Sequence, residues 1–182
     1  YGGMLLIGVG LVCVLFAFLY TTGPYPLSYN GWGDILVLVF FGFVPVGGTY
    51  YVQSLNWNND VTVASLLCGL VVDTLLVVNN YRDREADKKS GKRTVIVRFG
   101  EKFGSYLYLW LGISATLGCL WFLRDQRYYA ALFPLLYVIP HVLTWRKMVK
   151  IHSGKKLNSI LGETSRNMLL FAILLSLGMI LS

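Results

Sequence analysis

Long apolar runs alternate with short polar stretches along this chain. Six runs approach the roughly 20 residues that a bilayer core demands. They cover about Gly3–Tyr20, Ile35–Val52, Val61–Val78, Phe103–Leu123, Tyr128–Trp145 and Ile160–Leu181. None alternates at the two-residue period of a barrel strand, and unpaired backbone amides are costly in lipid. The pattern predicts an all-α membrane protein, a multi-pass transmembrane helical bundle with about six helices.

Composition agrees. Hydrophobic residues make up 55%, charged residues 14%, and the mean hydropathy is +0.59. A soluble domain carries roughly 25% charge. The net charge of +7 sits at the ends of the apolar runs, which suits a lipid bilayer surface and predicts no nucleic acid partner. Cys13, Cys68 and Cys119 stand singly inside apolar runs, so neither a disulfide framework nor a zinc site is expected.

The loops set an orientation. Alternate loops starting with the first carry fourteen of the sixteen Lys and Arg, eight of them between Arg82 and Lys102, while the other side carries Arg124 and Arg127. The positive-inside rule puts the rich side in the cytoplasm of the cell's inner membrane. Tyr1 is not Met, and the first apolar run begins without a basic leader, so no signal peptide is expected. Both ends then fall outside, and the expectation is a single transmembrane domain over residues 1–182, N-terminally incomplete.

Two features stay open at this level. Pro45, Gly47 and Gly48 interrupt the second run, marking either a kink over a cavity or close helix packing through small residues. The first loop, TTGPYPLSYNGWGD, is either an interfacial aromatic belt or a roof over a site on its own side.

The candidate chemistry lies in NNYRDREADKKSGKRTVIVRFG, Asn79 to Gly100. It holds three of the nine acidic and seven of the sixteen basic residues. With the third helix carried through it at about 100° per residue, Asn80, Asp83 and Asp87 share one face. Mg²⁺ takes such oxygens and is commonly held by one or two carboxylates plus substrate phosphates. Lys92 and Arg93 follow a turn at Ser90–Gly91, placed to grip phosphate oxygens. Acids for a metal and bases for an anion at a membrane surface point to a lipid diphosphate. The bland alternative is a set of solvated interfacial charges, Asp83 with Arg84 and Asp87 with Lys88.

The stretch resembles the second aspartate-rich motif of the UbiA superfamily of intramembrane prenyltransferases. GPYPLSYNGWGD, FFGFVPVGGTYYVQ and LNSILGETSRNMLLF extend the likeness over nearly the whole chain. The most similar branch prenylates 1,4-dihydroxy-2-naphthoate in menaquinone and phylloquinone synthesis. The resemblance implies a nine-helix fold, of which about six are present, and an Mg²⁺-dependent transferase using a polyprenyl diphosphate. It also implies that Asn80, Asp83 and Asp87 hold metal and that Lys92 and Arg93 hold diphosphate. A first aspartate-rich motif is expected from the family and absent here, so the chain alone is expected to be inactive. Rivals are a UbiA-type enzyme with another aromatic acceptor, a phosphatidyltransferase (whose DGxxAR pattern is missing), and a non-catalytic membrane protein. Nothing in the pattern specifies prenyl chain length or oligomeric state.

Asp73 sits on the face of Asn80, about 10 Å deeper. It is either a contact for the acceptor's hydroxyl groups, as intramembrane acids often are functional, or a structural group. Glu163 and Arg166 are spaced to pair on one helix face. His141 and His152 have no ligand spacing and receive no role.

Overall fold

The computed structural model describes residues 3–182. Among these, six helices are long and apolar enough to cross a membrane: α1 (Gly3–Thr21), α2 (Gly33–Ser54), α3 (Asn59–Lys89), α5 (Glu101–Asp125), α6 (Tyr128–Ile151) and α7 (Lys155–Leu181). A short helix, α4 (Val95–Phe99), lies between α3 and α5. The protein is an all-α, multi-pass membrane bundle. Each apolar run becomes a helix close to its expected limits, except that α3 runs eleven residues beyond Val78.

That extension positions the site. At 1.5 Å per residue the 31 residues of α3 reach roughly 46 Å, well past a hydrocarbon core of roughly 30 Å. Its last three turns, starting near Asn79, therefore project on the basic side. Asn58 caps the other end, its side-chain oxygen accepting from the Val61 amide at 2.9 Å. Asp60 in the first turn and Lys88 and Lys89 in the last complement the helix dipole.

The packed body lies where α3 meets α5, α6 and α7. One buried cluster joins Leu67 and Val71 to Phe122, Tyr137 and Phe171. A second, nearer the basic side, joins Val77, Val78 and Tyr81 to Ile96, Tyr108 and Met148. The His141 ring stacks on Tyr108 and Tyr137, with centroids 4.6 and 5.1 Å away. Its Nδ1 lies 3.0 Å from the Tyr137 hydroxyl and its Nε2 3.2 Å from the Leu109 carbonyl. Both ring nitrogens are thus taken up by packing. Glu163 does not pair with Arg166. It accepts from Lys147 of α6 at 2.9 Å, across the α6–α7 contact.

The other side of α3 is built differently. α1 buries no residue, and α2 buries only Gly33, Gly42 and Gly47. Residues Leu38–Gly47 of α2 form a π-helix around Pro45, whose wider turns accommodate the missing proline amide. A β-carbon on Gly42 would stand 2.6 Å from the Ser65 carbonyl and 2.9 Å from the Gly69 α-carbon. Small residues thus bring α2 and α3 into backbone contact. Within the interruption itself only Gly47 is packed. A β-carbon there would collide with Trp57 and stand 3.2 Å from Ser65 Oγ, whereas one on Gly48 would meet nothing within 4 Å.

Candidate active site

The end of α3 and the turn after it build the site. Lys92 donates its backbone N–H to the Asp87 carbonyl (2.9 Å) and Gly91 to that of Lys88 (3.3 Å), with Gly91 at φ +78°. This is a Schellman stop, and its left-handed position suits glycine. The reversal carries the Lys92 ammonium back to 3.2 Å from Asp87 Oδ1, so the pair forms across a turn spelled out as KKSGK.

Asn80, Asp83 and Asp87 all line one polar cavity of about 340 Å³, together with Asn79, Lys92 and Thr94. Asn80 is 9% and Asp87 7% exposed, whereas the Asp83 side chain is 37% exposed at the mouth. The first loop covers this cavity. Tyr29 and Ser28 line it, the Tyr29 carbonyl accepts from the Arg93 amide at 2.7 Å, and the Asn30 carbonyl accepts from Arg98 at 2.8 Å. Lys92 stands over the Tyr29 ring, 5.3 Å from its centroid. Of the two readings of that loop, the roof is the one these contacts support. Arg93 contributes its backbone to the roof, while its side chain is exposed and lines neither cavity described here.

Beside the polar cavity lies an apolar one of about 830 Å³, within the roughly 300–1,000 Å³ of ligand pockets. α1 supplies Phe16 and Ala17, α2 Phe40 and Phe41, α3 Leu75 and Leu76, and α7 Leu161. Tyr20, Leu76 and Asn79 line both cavities. The Phe16 and Phe40 rings meet at 5.2 Å between centroids, linking α1 to α2. The polar cavity thus adjoins the apolar one along Tyr20, Leu76 and Asn79.

The neighbouring charges sort differently from their sequence order. Asp83 pairs with Arg82, not Arg84. Arg82 donates Nε to Oδ1 at 2.7 Å and Nη2 to Oδ2 at 2.6 Å, and also donates to Asn79 (2.7 Å) and to Asn158 of α7 (3.0 Å). Arg84 is buried on another side of α3, donating to the Tyr81 carbonyl (2.6 Å) and to Glu101 (3.0 Å). Asp87 pairs with Lys92, not Lys88. The counter-ions are therefore specific and partly desolvated, unlike a strip of solvated charges.

Asp73 is 2% exposed and lines neither cavity, and its Oδ1 has no hydrogen-bond partner. Among the described residues no three His, Cys, Asp or Glu side chains gather as a metal cluster. The donor set is instead two carboxylates and the Asn80 carboxamide on one wall. Hard-cation chemistry fits such oxygens when phosphate oxygens and water complete the shell.

Comparison with known proteins adds the family. The UbiA prenyltransferase family matches residues 1–171. A protein of Haemophilus influenzae named 1,4-dihydroxy-2-naphthoate octaprenyltransferase is 34% identical over 177 residues, covering 96% of this chain and 57% of that protein. A Mycobacterium tuberculosis protein of the same name is 33% identical over 171 residues, with 92% and 57% coverage. A Synechocystis protein named 2-carboxy-1,4-naphthoquinone phytyltransferase is 31% identical over 94 residues, with 52% and 31% coverage. The chain thus spans 57% of the length of the Haemophilus and Mycobacterium relatives and matches 31% of the Synechocystis one. No solved structure matches it.

Proposed function

The chain belongs to the UbiA prenyltransferase family, and on that footing we propose that it forms the donor-binding part of a 1,4-dihydroxy-2-naphthoate polyprenyltransferase. The observation that carries this reading is the pair of adjoining cavities, one polar under Asp83, Asp87 and Lys92 and one apolar between α1, α2 and α3. A polyprenyl diphosphate has that same division. The acceptor assignment is supported by the names of the Haemophilus and Mycobacterium relatives.

In this reading Asn80, Asp83 and Asp87 hold Mg²⁺, which when bound neutralises charge on the diphosphate leaving group. Lys92, which lines the polar cavity, adds a cationic contact to the same oxygens, and Arg93, exposed outside it, a weaker peripheral one. The allylic C–O bond breaks with its electron pair leaving on diphosphate. The acceptor ring carbon bearing the carboxylate forms the new C–C bond, and CO₂ departs, leaving its bonding pair in the ring. The roof at Ser28–Asn30 and the apolar walls exclude water that would capture the allylic cation. Asp73, outside both cavities, takes a structural place. The site faces the cytoplasm of the inner membrane, the side with fourteen of the sixteen basic residues.

One wall carries two carboxylates where the family resemblance implies two aspartate-rich motifs. By itself the chain is therefore proposed to bind donor without turning it over. The test is a chimera in which this chain replaces the matched 177-residue stretch of the Haemophilus relative. Membranes containing it should form prenylated naphthol and release CO₂ with polyprenyl diphosphate, 1,4-dihydroxy-2-naphthoate and Mg²⁺. A well-folded chimera that uses neither substrate contradicts the reading.

A further inference from the structure

Each candidate metal carboxylate already carries a cation from its own chain. Arg82 grips both oxygens of Asp83 at 2.6 and 2.7 Å, and Lys92 stands 3.2 Å from Asp87 Oδ1. Lys92 belongs to the diphosphate contacts named above. Arg82 does not, and its position is the informative one. Its guanidinium also bonds Asn79, which lines both cavities, and Asn158 at the start of α7. Arg82 itself lines neither cavity, but its partners Asn79 and Asp83 do. It therefore stands behind the wall where the two cavities meet and where a prenyl diphosphate would have its phosphorus.

A bidentate guanidinium and a divalent cation compete for the same carboxylate edge. Both need the oxygen lone pairs, and two cations sharing that edge repel each other. Binding a metal at Asp83 must displace Arg82. The displaced guanidinium keeps only neutral carboxamide partners, Asn79 and Asn158, and planar five-donor geometry suits it to phosphate oxygens.

We propose that Arg82 is a diphosphate-binding residue held in reserve on Asp83, and that metal–diphosphate binding proceeds by partner exchange. Asp83 passes from Arg82 to the metal, and Arg82 passes from Asp83 to the diphosphate. The same exchange at Asp87 frees Lys92. The inference rests on the proposed function. It adds that metal and diphosphate bind cooperatively, since each supplies the partner that the other's arrival leaves unsatisfied. It also predicts that metal alone binds weakly.

A purely positioning Arg82, which merely aims Asp83, predicts the opposite sign in one measurement. The test titrates Mn²⁺ by electron paramagnetic resonance into the 182-residue chain in detergent, with and without inorganic pyrophosphate. Wild type is compared with Arg82→Gln and Arg82→Lys, and folding of each is checked by circular dichroism. Exchange predicts that pyrophosphate tightens Mn²⁺ binding about ten-fold or more in wild type. Arg82→Gln should bind Mn²⁺ alone about three- to ten-fold more tightly and lose most of the pyrophosphate gain. Arg82→Lys, with the charge but not the fork, should fall between. If Arg82→Gln does not fold, Arg82→Lys decides by the same sign. Mn²⁺ affinity that is unchanged or weaker in the folded variant overturns the exchange while leaving the site reading intact. A wild-type chain that binds neither Mn²⁺ nor pyrophosphate overturns both.

Discussion

Two sides of one helix show how this protein divides its labour. Toward α5, α3 presents Val77, Val78 and Tyr81 to a closed cluster with Ile96 and Tyr108, and its one charge there, Arg84, is buried on Glu101 and the Tyr81 carbonyl. Toward α1 and the first loop it lines a polar cavity with Asn79, Asn80, Asp83 and Asp87. The difference follows from what faces each side. α5 brings large side chains and a matching carboxylate, whereas α2 touches α3 through Gly42 and Gly69 and leaves room beyond. Rigidity on one side lets the polar groups on the other be held in place without filling the cavity themselves.

Substitutions on the open side should break chemistry and spare stability. Asp83→Ala or Asp87→Ala in the chimera should lower prenyl transfer about 100-fold or more, with the melting temperature within a few degrees of the parent. Equal losses of activity and melting temperature would erase the contrast. On the closed side, Arg84→Ala removes one partner of a part-exposed Glu101, which keeps the Tyr81 hydroxyl and His152, and should cost about 1–2 kcal/mol, read by thermal denaturation in detergent. Its Mn²⁺ affinity should stay at the wild-type value.

The open side can be divided further. Ala17→Trp inserts an indole into the apolar cavity and should weaken farnesyl diphosphate binding about ten-fold while leaving pyrophosphate unaffected. Parallel losses for both ligands would show that the cavities do not serve tail and head separately. Lys92→Gln should weaken pyrophosphate about ten-fold, and Arg93→Gln about two-fold, because only Lys92 lines the polar cavity. The smallest effect is expected at Asp73, which is buried and lines neither cavity. Asp73→Asn should leave acceptor KM and donor affinity unchanged and move stability by about 1 kcal/mol or less. A raised acceptor KM would restore it as an acceptor contact.

Much of this division was legible in the chain. The NxxDxxxD spacing set Asn80, Asp83 and Asp87 on one face, and all three line one cavity. Ser90–Gly91 announced the reversal that returns Lys92 to Asp87. The pairing of the other charges was not legible. Arg82 and Arg84 read alike in sequence, and their fates depend on Asn158 and Glu101, which are 76 and 17 residues away. No local spacing encodes such partners. Lys147 and Glu163, on different helices, escaped for the same reason. The roof needed contacts between Tyr29–Asn30 and Arg93–Arg98, which composition alone left balanced against an aromatic belt.

The central claim is that α3's carboxylates hold a metal-bound diphosphate head whose tail enters the neighbouring apolar cavity. Isothermal titration of farnesyl diphosphate into the 182-residue chain, in Mg²⁺ and then in EDTA, tests it most directly, with Asp87→Asn alongside. The account predicts saturable binding in Mg²⁺ that falls about 100-fold or more in EDTA and in Asp87→Asn. Binding of equal strength in Mg²⁺, in EDTA and in Asp87→Asn would contradict it.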